Sequence, residues 1–218
     1  MRTVLLLSGG LDSSVLLAQL LNQGHEVAAL SLDYGQRHVR ELDAARFIAK
    51  RYGVRHKVLA LPSLATLWPE SVLTGAGAVP DGHYAADSMK ATVVPNRNMF
   101  LLSLALGWAG SLKFDAVAYS AHGGDHAIYP DCRPEFFAAM DAAARFCDWQ
   151  PLQVLAPFIT ASKADIVKVG AALGVPFAQT RTCYNDGLNH CGRCGACTER
   201  REAFKLAGVS DPTMYCAT

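Results

Sequence analysis

The chain has 218 residues, half of them apolar, and its 20 basic and 19 acidic side chains leave a net charge of +1. That length fits one large domain, or one domain with a small appendage, on a scale of about 100–200 residues per domain. The charge balance argues against a general nucleic-acid or anionic-membrane binder, and no apolar run reaches the roughly 18 residues of a membrane helix. Met1-Arg2-Thr3 runs into a strand without a signal pattern, so a cytoplasmic protein acting on small molecules is expected.

Val4-Leu5-Leu6-Leu7 reads as a buried strand. Behind it, Ser8-Gly9-Gly10-Leu11-Asp12-Ser13-Ser14 reads as a glycine-rich turn feeding a helix. The glycines permit a tight turn and let backbone N–H groups approach a ligand. Those amides, the three serine hydroxyls and the positive helix end form an anion site suited to phosphate. The pattern is neither a Walker A loop nor Gly-x-Gly-x-x-Gly. A carboxylate at Asp12 beside phosphate implies Mg²⁺ or a donor group between them.

A stripe of Val15, Leu16, Leu17, Leu20 and Leu21 carries the helix to Gly24. A buried strand over 26–32 ends in the polar burst Asp33-Tyr34-Gly35-Gln36-Arg37-His38, and ligands of doubly wound sheets bind outside such ends. A helix over 39–52 and a strand over 55–61 follow. Residues 62–92 break the rhythm with Pro69, Gly75, Gly77, Pro80 and Gly82. Loops this long often act as lids, a flexible insertion being the alternative. Val94-Pro95-Asn96-Arg97-Asn98 leads into an apolar helix over 99–109, with Asn98 as its N-cap. A strand over 115–120 precedes His122, Asp125 and His126, any of which could carry protons. Pro134 opens a helix to about Cys147, an extended segment covers 153–158, and Ser162 and Asp165 form a capping box for a helix to Gly174. Strands alternate with helices throughout, which gives an α/β fold with a doubly wound parallel sheet.

Seven cysteines suit a reducing compartment better than a disulfide framework, because Cys183-x₇-Cys191-x₂-Cys194-x₂-Cys197 gathers four of them. Four thiolates close a tetrahedral Zn²⁺ shell, so the site is expected to be structural. An iron–sulfur cluster is the alternative, though the ferredoxin Cys-Pro ending is missing. Cys132, Cys147 and Cys216 read as ordinary thiols. The expected organisation is an α/β domain over 1–180, with a lid-like insertion near 62–92, and a small zinc-binding element over 181–218 packed on it.

Ser8-Gly9-Gly10-x-Asp12-Ser13 behind a first strand resembles the loop of the N-type ATP pyrophosphatases, the PP-loop superfamily. These Rossmann-like, adenine-nucleotide α-hydrolase-like enzymes split ATP between its α- and β-phosphates and adenylate a carbonyl or carboxylate oxygen. Residues 33–38 and 94–98, Tyr129-Pro130-Asp131-Cys132-Arg133-Pro134-Glu135-Phe136, and Thr182-Cys183-Tyr184-Asn185 with Cys191, Cys194 and Cys197 extend the likeness. Together, from Val4 to about Phe204, they resemble the 7-cyano-7-deazaguanine synthase family of queuosine biosynthesis.

The resemblance implies an ATP-dependent carbon–nitrogen ligase that turns 7-carboxy-7-deazaguanine and ammonia into a nitrile through adenylated carboxylate and amide intermediates. It further implies Mg²⁺, one structural Zn²⁺ per chain, a cytoplasmic homodimer and no direct contact with nucleic acid. On it, Asp12, Arg97 and Lys163 become catalytic candidates. Leu7, Ser8, Gly9, Gly10, Leu11, Asp12, Ser13, Ser14, Val15, Leu16, Leu17, Asp33 and Arg97 would hold the nucleotide. Gln36, Arg37, His38, Tyr129, Asp131 and Arg133 would meet the deazaguanine. Of these, an Asp suits a guanine-like N1–H and amino edge, and an Arg suits a carboxylate. An Asp131–Arg133 network that only satisfies itself is the structural alternative. Cys183, Cys191, Cys194 and Cys197 would hold the metal. Two rival readings are an adenine-nucleotide-binding module without chemistry and a zinc ribbon that presents tRNA.

Overall fold

The computed structural model describes residues 1–216. Five parallel strands, β1 (Arg2–Leu6), β2 (Glu26–Asp33), β3 (Arg55–Ala60), β4 (Ala116–Ala118) and β5 (Gln153–Leu155), lie in the order β3-β2-β1-β4-β5. Val4 sits opposite Ala28 on one side and Val117 on the other. The strands are apolar on both faces because helices cover both. Val4, Ala28, Leu30 and Val117 pack on α3 (Arg97–Leu112) and α4 (Pro134–Ala144) through Leu102, Ala105, Leu106 and Met140. Leu5, Ala29 and Ala118 pack on α1 (Leu11–Asn22), α2 (Glu41–Arg51), α5 (Lys163–Ala172) and α6 (Gly195–Ala207) through Leu16, Leu17, Ile48, Val167 and Phe204. This is the doubly wound arrangement. Chain order reverses between β1 and β4, so their carboxyl ends open a crevice.

The capping box at Ser162 is present, with its Oγ accepting from the Asp165 N–H at 3.2 Å and the Asp165 carboxylate accepting in return. Asn98 is not the cap expected of it. α3 begins at Arg97, behind Asn96 in a left-handed conformation with φ of 62°. The Asn98 N–H instead donates to Asp131 Oδ2 at 2.8 Å, so the cap arrives from 33 residues away. β4 and β5 stop at Ala118 and Leu155, short of the extended runs read from sequence.

α6 answers to no expected element. It starts inside the cysteine cluster and sends Phe204 into the core, edge-on to Phe177 with centroids 5.0 Å apart. Arg200, fully buried on the same helix, donates to Thr180, Thr182 and the Phe177 carbonyl. Residues 62–92 hold two short 3₁₀ stretches and bury Leu73, Tyr84 and Met89. Their tip is tied to the cysteine-rich segment, since the Gly82 N–H donates to the Arg193 carbonyl at 3.0 Å. Among the described residues, no helix is long and apolar enough to cross a membrane.

Candidate active site

The turn after β1 is shaped by close packing. Gly9 has φ of +83°, and a side-chain carbon there would run into the Glu41 carbonyl and the Ala45 amide at the start of α2. Only glycine fits. The serines work inside the loop: the Ser8 and Ser13 hydroxyls lie 3.0 Å apart, Gly10 N–H donates to Ser8 Oγ, and Ser14 Oγ donates to the Gly10 carbonyl. The first N–H groups of α1 have no intrahelical partner.

The loop forms one wall of a cavity of ≈ 230 Å³ at the β1–β4 switch. At one end a cluster of charges is closely paired. Lys163, the first residue of α5, places Nζ 2.7 Å from Glu199 Oε2, 3.1 Å from Asp12 Oδ2 and 3.4 Å from His122 Nε2. The Gly124 N–H donates to His122 Nδ1, and His122 Nε2 faces Asp125 Oδ2 at 3.6 Å. Tyr84 reaches in from the insertion and donates to Asp125 Oδ1 at 2.6 Å. Burial works against the Lys163 ammonium, but the Asp12, Glu199 and Asp125 carboxylates outweigh it and hold its pKa above the ordinary lysine value. Burial raises the pKa of Glu199 despite Lys163 beside it. Asp125 is lowered, because His122 and Lys163 outweigh its own burial. Burial, reinforced by the Asp125 charge, pushes the Tyr84 hydroxyl well up.

The other end is built from hydroxyls and one cation. The Arg97 guanidinium lies 5.9 Å from the Tyr129 ring centre and, among the described residues, has no carboxylate within 4.0 Å. Tyr129 joins its hydroxyl to Thr92 at 2.6 Å and to Tyr184 at 3.0 Å. Tyr119 completes this end with a buried hydroxyl that has no partner among the described residues.

Of the site candidates singled out from sequence, Leu7, Ser8, Gly10, Leu11, Asp12, His38, Arg97, Asp125, Tyr129 and Lys163 line this cavity. The others lie off it. Val15, Leu16 and Leu17 are core residues, and Ser13 and Ser14 are buried behind the loop. Asp33 accepts from the Gly35 N–H and holds its own turn. Gln36 accepts from the Tyr34 N–H and donates to the Leu32 carbonyl and to Glu41. Arg37 fastens the insertion through the Leu73 and Gly75 carbonyls. Asp131 serves the α3 N-terminus, and exposed Arg133 donates to the His126 carbonyl. His122 and Asp125 belong to the charged cluster, whereas His126 does not line the cavity. Reading by motif passed over Glu41, Tyr84, Arg181 and Glu199, all of which line it, and gave no role to Tyr184. Glu41 had a usable signal, since it follows a polar strand end and opens a helix.

The four clustered cysteines bring their sulfurs within 4.8 Å of one another. Cys183, Cys194 and Cys197 are buried, and backbone N–H groups of Cys191 and Cys194 point at Cys183 and Cys191 sulfurs at 3.3 Å each. Four thiols in one shell fit tetrahedral zinc. Cys194 is the N-cap of α6 and Cys197 lies in its first turn, two residues before Glu199.

Compared with known proteins, residues 2–208 match the family model described as "Queuosine biosynthesis protein QueC". The chain is 53% identical over 219 residues to the 7-cyano-7-deazaguanine synthase of Allorhizobium ampelinum, covering 99% of this chain and 92% of that one. It is 49% identical over 214 residues to the enzyme of the same name from Hahella chejuensis, covering 98% and 93%. Among solved structures, the NMN synthetase of Francisella tularensis superposes with a TM-score of 0.52 at 14% identity, over 96% of this chain and 78% of that one, a likeness of fold. A match over nearly the whole length, with relatives at about half identity, settles membership: the chain belongs to the QueC family of queuosine biosynthesis proteins.

Proposed function

We propose that the chain converts 7-carboxy-7-deazaguanine and ammonia into 7-cyano-7-deazaguanine at the expense of ATP, the activity named for its relatives. The observation that carries this reading is the division of one cavity between a closely paired cluster around Lys163 and an Arg97 without a carboxylate partner. A carboxylate is a poor electrophile, so its oxygen must first become a leaving group. Attack of that oxygen on the α-phosphorus of ATP releases pyrophosphate and leaves an acyl adenylate. Ammonia displaces AMP to give the amide. A second adenylation, now of the amide oxygen, lets AMP depart as the nitrogen loses its protons and C≡N forms.

In this reading the α1 N–H groups and Lys163 receive the β- and γ-phosphates, replacing carboxylate contacts with phosphate contacts. Arg97 meets the substrate carboxylate and orients its oxygen toward the α-phosphorus. Asp12 Oδ1 is buried without a hydrogen-bond partner, which fits a hard cation held by Asp12 and phosphate oxygens. Mg²⁺ bound there would neutralise charge on the departing pyrophosphate. Cys183, Cys191, Cys194 and Cys197 hold one structural zinc, and their closed shell leaves no open position. Residues 1–180 act as the nucleotide-binding unit and 181–218 as the zinc element, in a cytoplasmic homodimer.

The test is mass spectrometry after incubation with 7-carboxy-7-deazaguanine, ammonium, Mg²⁺ and ATP. The nitrile mass and free AMP are expected; unchanged substrate from folded, zinc-loaded protein overturns the reading.

A further inference from the structure

We propose that Glu41 reads the pyrimidine edge of the substrate and decides which base this site accepts. The inference rests on the deazaguanine reading above. Four carboxylates line the cavity: Asp12, Glu41, Asp125 and Glu199. Asp12 and Glu199 are paired with Lys163, and Asp125 holds Tyr84 and faces His122. Glu41 stands apart from them. Its side chain is 15% exposed, and among the described residues no lysine or arginine lies within 4.0 Å of it. Its neighbours are Gln36 Nε2, 3.1 Å from Oε1, and His38 Nε2, 3.4 Å from Oε2.

A carboxylate has about four lone-pair positions, so at least two remain to be filled even with His38 counted beside Gln36. Leaving a largely buried anion short of donors is costly, and a ligand that brings donors recovers that cost. The carboxylate is also aimed in advance. Gln36 is 1% exposed, and its amide is fixed by the Tyr34 N–H and the Leu32 carbonyl before it touches Glu41. Beyond it, the His38 ring lies 6.0 Å from the Tyr184 ring, and the buried His38 Nδ1 has no partner.

Two N–H donors side by side are what such a carboxylate matches, and a guanine-type ring supplies them as N1–H and the 2-amino group. Adenine offers one donor next to the N1 lone pair, which would face the carboxylate and be repelled. The same group therefore favours the deazaguanine and turns away the base of ATP. The sequence suggested Asp131 for an edge of this kind, but Asp131 is committed to the Asn98 N–H. With Asp12 assigned to a cation and phosphate, and Asp125 and Glu199 to the charged cluster, Glu41 is the cavity carboxylate left to meet the base.

The experiment compares 7-carboxy-7-deazaguanine with its analogue lacking the 2-amino group, for the zinc-loaded wild type and for Glu41→Gln. Wild type should prefer the amino compound by on the order of 100-fold in kcat/KM, as expected when a charged acceptor is left unpaired. In Glu41→Gln the preference should fall below about 10-fold, with the KM for ATP within about twofold of wild type. A merely structural role would lower both rates and leave their ratio alone. A wild-type ratio near one, an unaltered ratio in the variant, or a rise confined to the KM for ATP would each overturn the assignment. Should the variant not fold, the wild-type ratio still decides. Should wild type form no nitrile, the functional reading fails by itself. Equilibrium dialysis of the two compounds against wild type then tests Glu41: a binding preference for the amino compound supports it, and equal binding overturns it.

Discussion

The two ends of the cavity handle charge in opposite ways. Around Lys163 the charges are closely paired: three carboxylates, a histidine and a tyrosine hydroxyl lie in reach of one another before any ligand arrives. Around Arg97 a guanidinium lies against an aromatic ring and, among the described residues, has no carboxylate within 4.0 Å. A paired cluster serves the folded state as well as the ligand, whereas an unpaired cation is complete only with its anion. Damage at the first end should therefore register in stability and in chemistry, and damage at the second mainly in binding.

The largest effect is expected from outside the cavity. Cys194→Ser breaks the shell that caps α6, the helix carrying Glu199 and Phe204. Structural zinc supplies on the order of 10 kcal/mol in small metal-folded domains. The variant should lose zinc by atomic absorption and melt far below wild type; a metal-free variant with normal melting would show that α6 needs no staple. Next comes Lys163→Met, which leaves Asp12, Asp125 and Glu199 facing one another. Removing one partner of a buried pair costs about 3–5 kcal/mol, and nitrile formation should fall at least about 1,000-fold. An unchanged melting curve would break the contrast drawn above.

Arg97→Ala should behave differently. A charge-assisted hydrogen bond is worth about 1.5–3 kcal/mol, so the KM for the deazaguanine carboxylate should rise roughly 10- to 150-fold while thermal melting stays close to wild type. A large loss of stability would mean that Arg97 has structural work the contacts do not show. Tyr84→Phe is the smallest change. It removes the donor to Asp125 Oδ1, at a cost of about 1–3 kcal/mol in chemical denaturation, with the KM of the carboxylate substrate unmoved.

How much of this was legible depends on the range of the contacts involved. The strand-to-helix turn at Ser8, the capping box at Ser162 and the alternation of strands with helices are local, and the sequence reading of them matches the structure. Lys163 became a candidate through the family resemblance. That it meets Asp12 depends on two segments about 150 residues apart, which no local pattern reports. The cap on α3 failed for the same reason, since its donor-acceptor pair spans Asn98 and Asp131. α6 is another kind of miss. Ala196, Arg200, Ala203 and Phe204 recur on one helical face and are all buried, but the cysteine spacing dominated the reading of that stretch. With the helix overlooked, Glu199 could not be placed.

The contact beneath Gly9 has a consequence for how the two substrates communicate. The loop at Gly9 rests directly on the backbone at the start of α2, with no room for a single carbon between them. The residue on that first turn is Glu41. On the proposed reading, a triphosphate on the loop and a base at Glu41 would load opposite sides of one rigid joint. Free energy exchanged across such a joint is reciprocal: by whatever factor bound ATP alters the affinity for the base, the base alters the affinity for ATP.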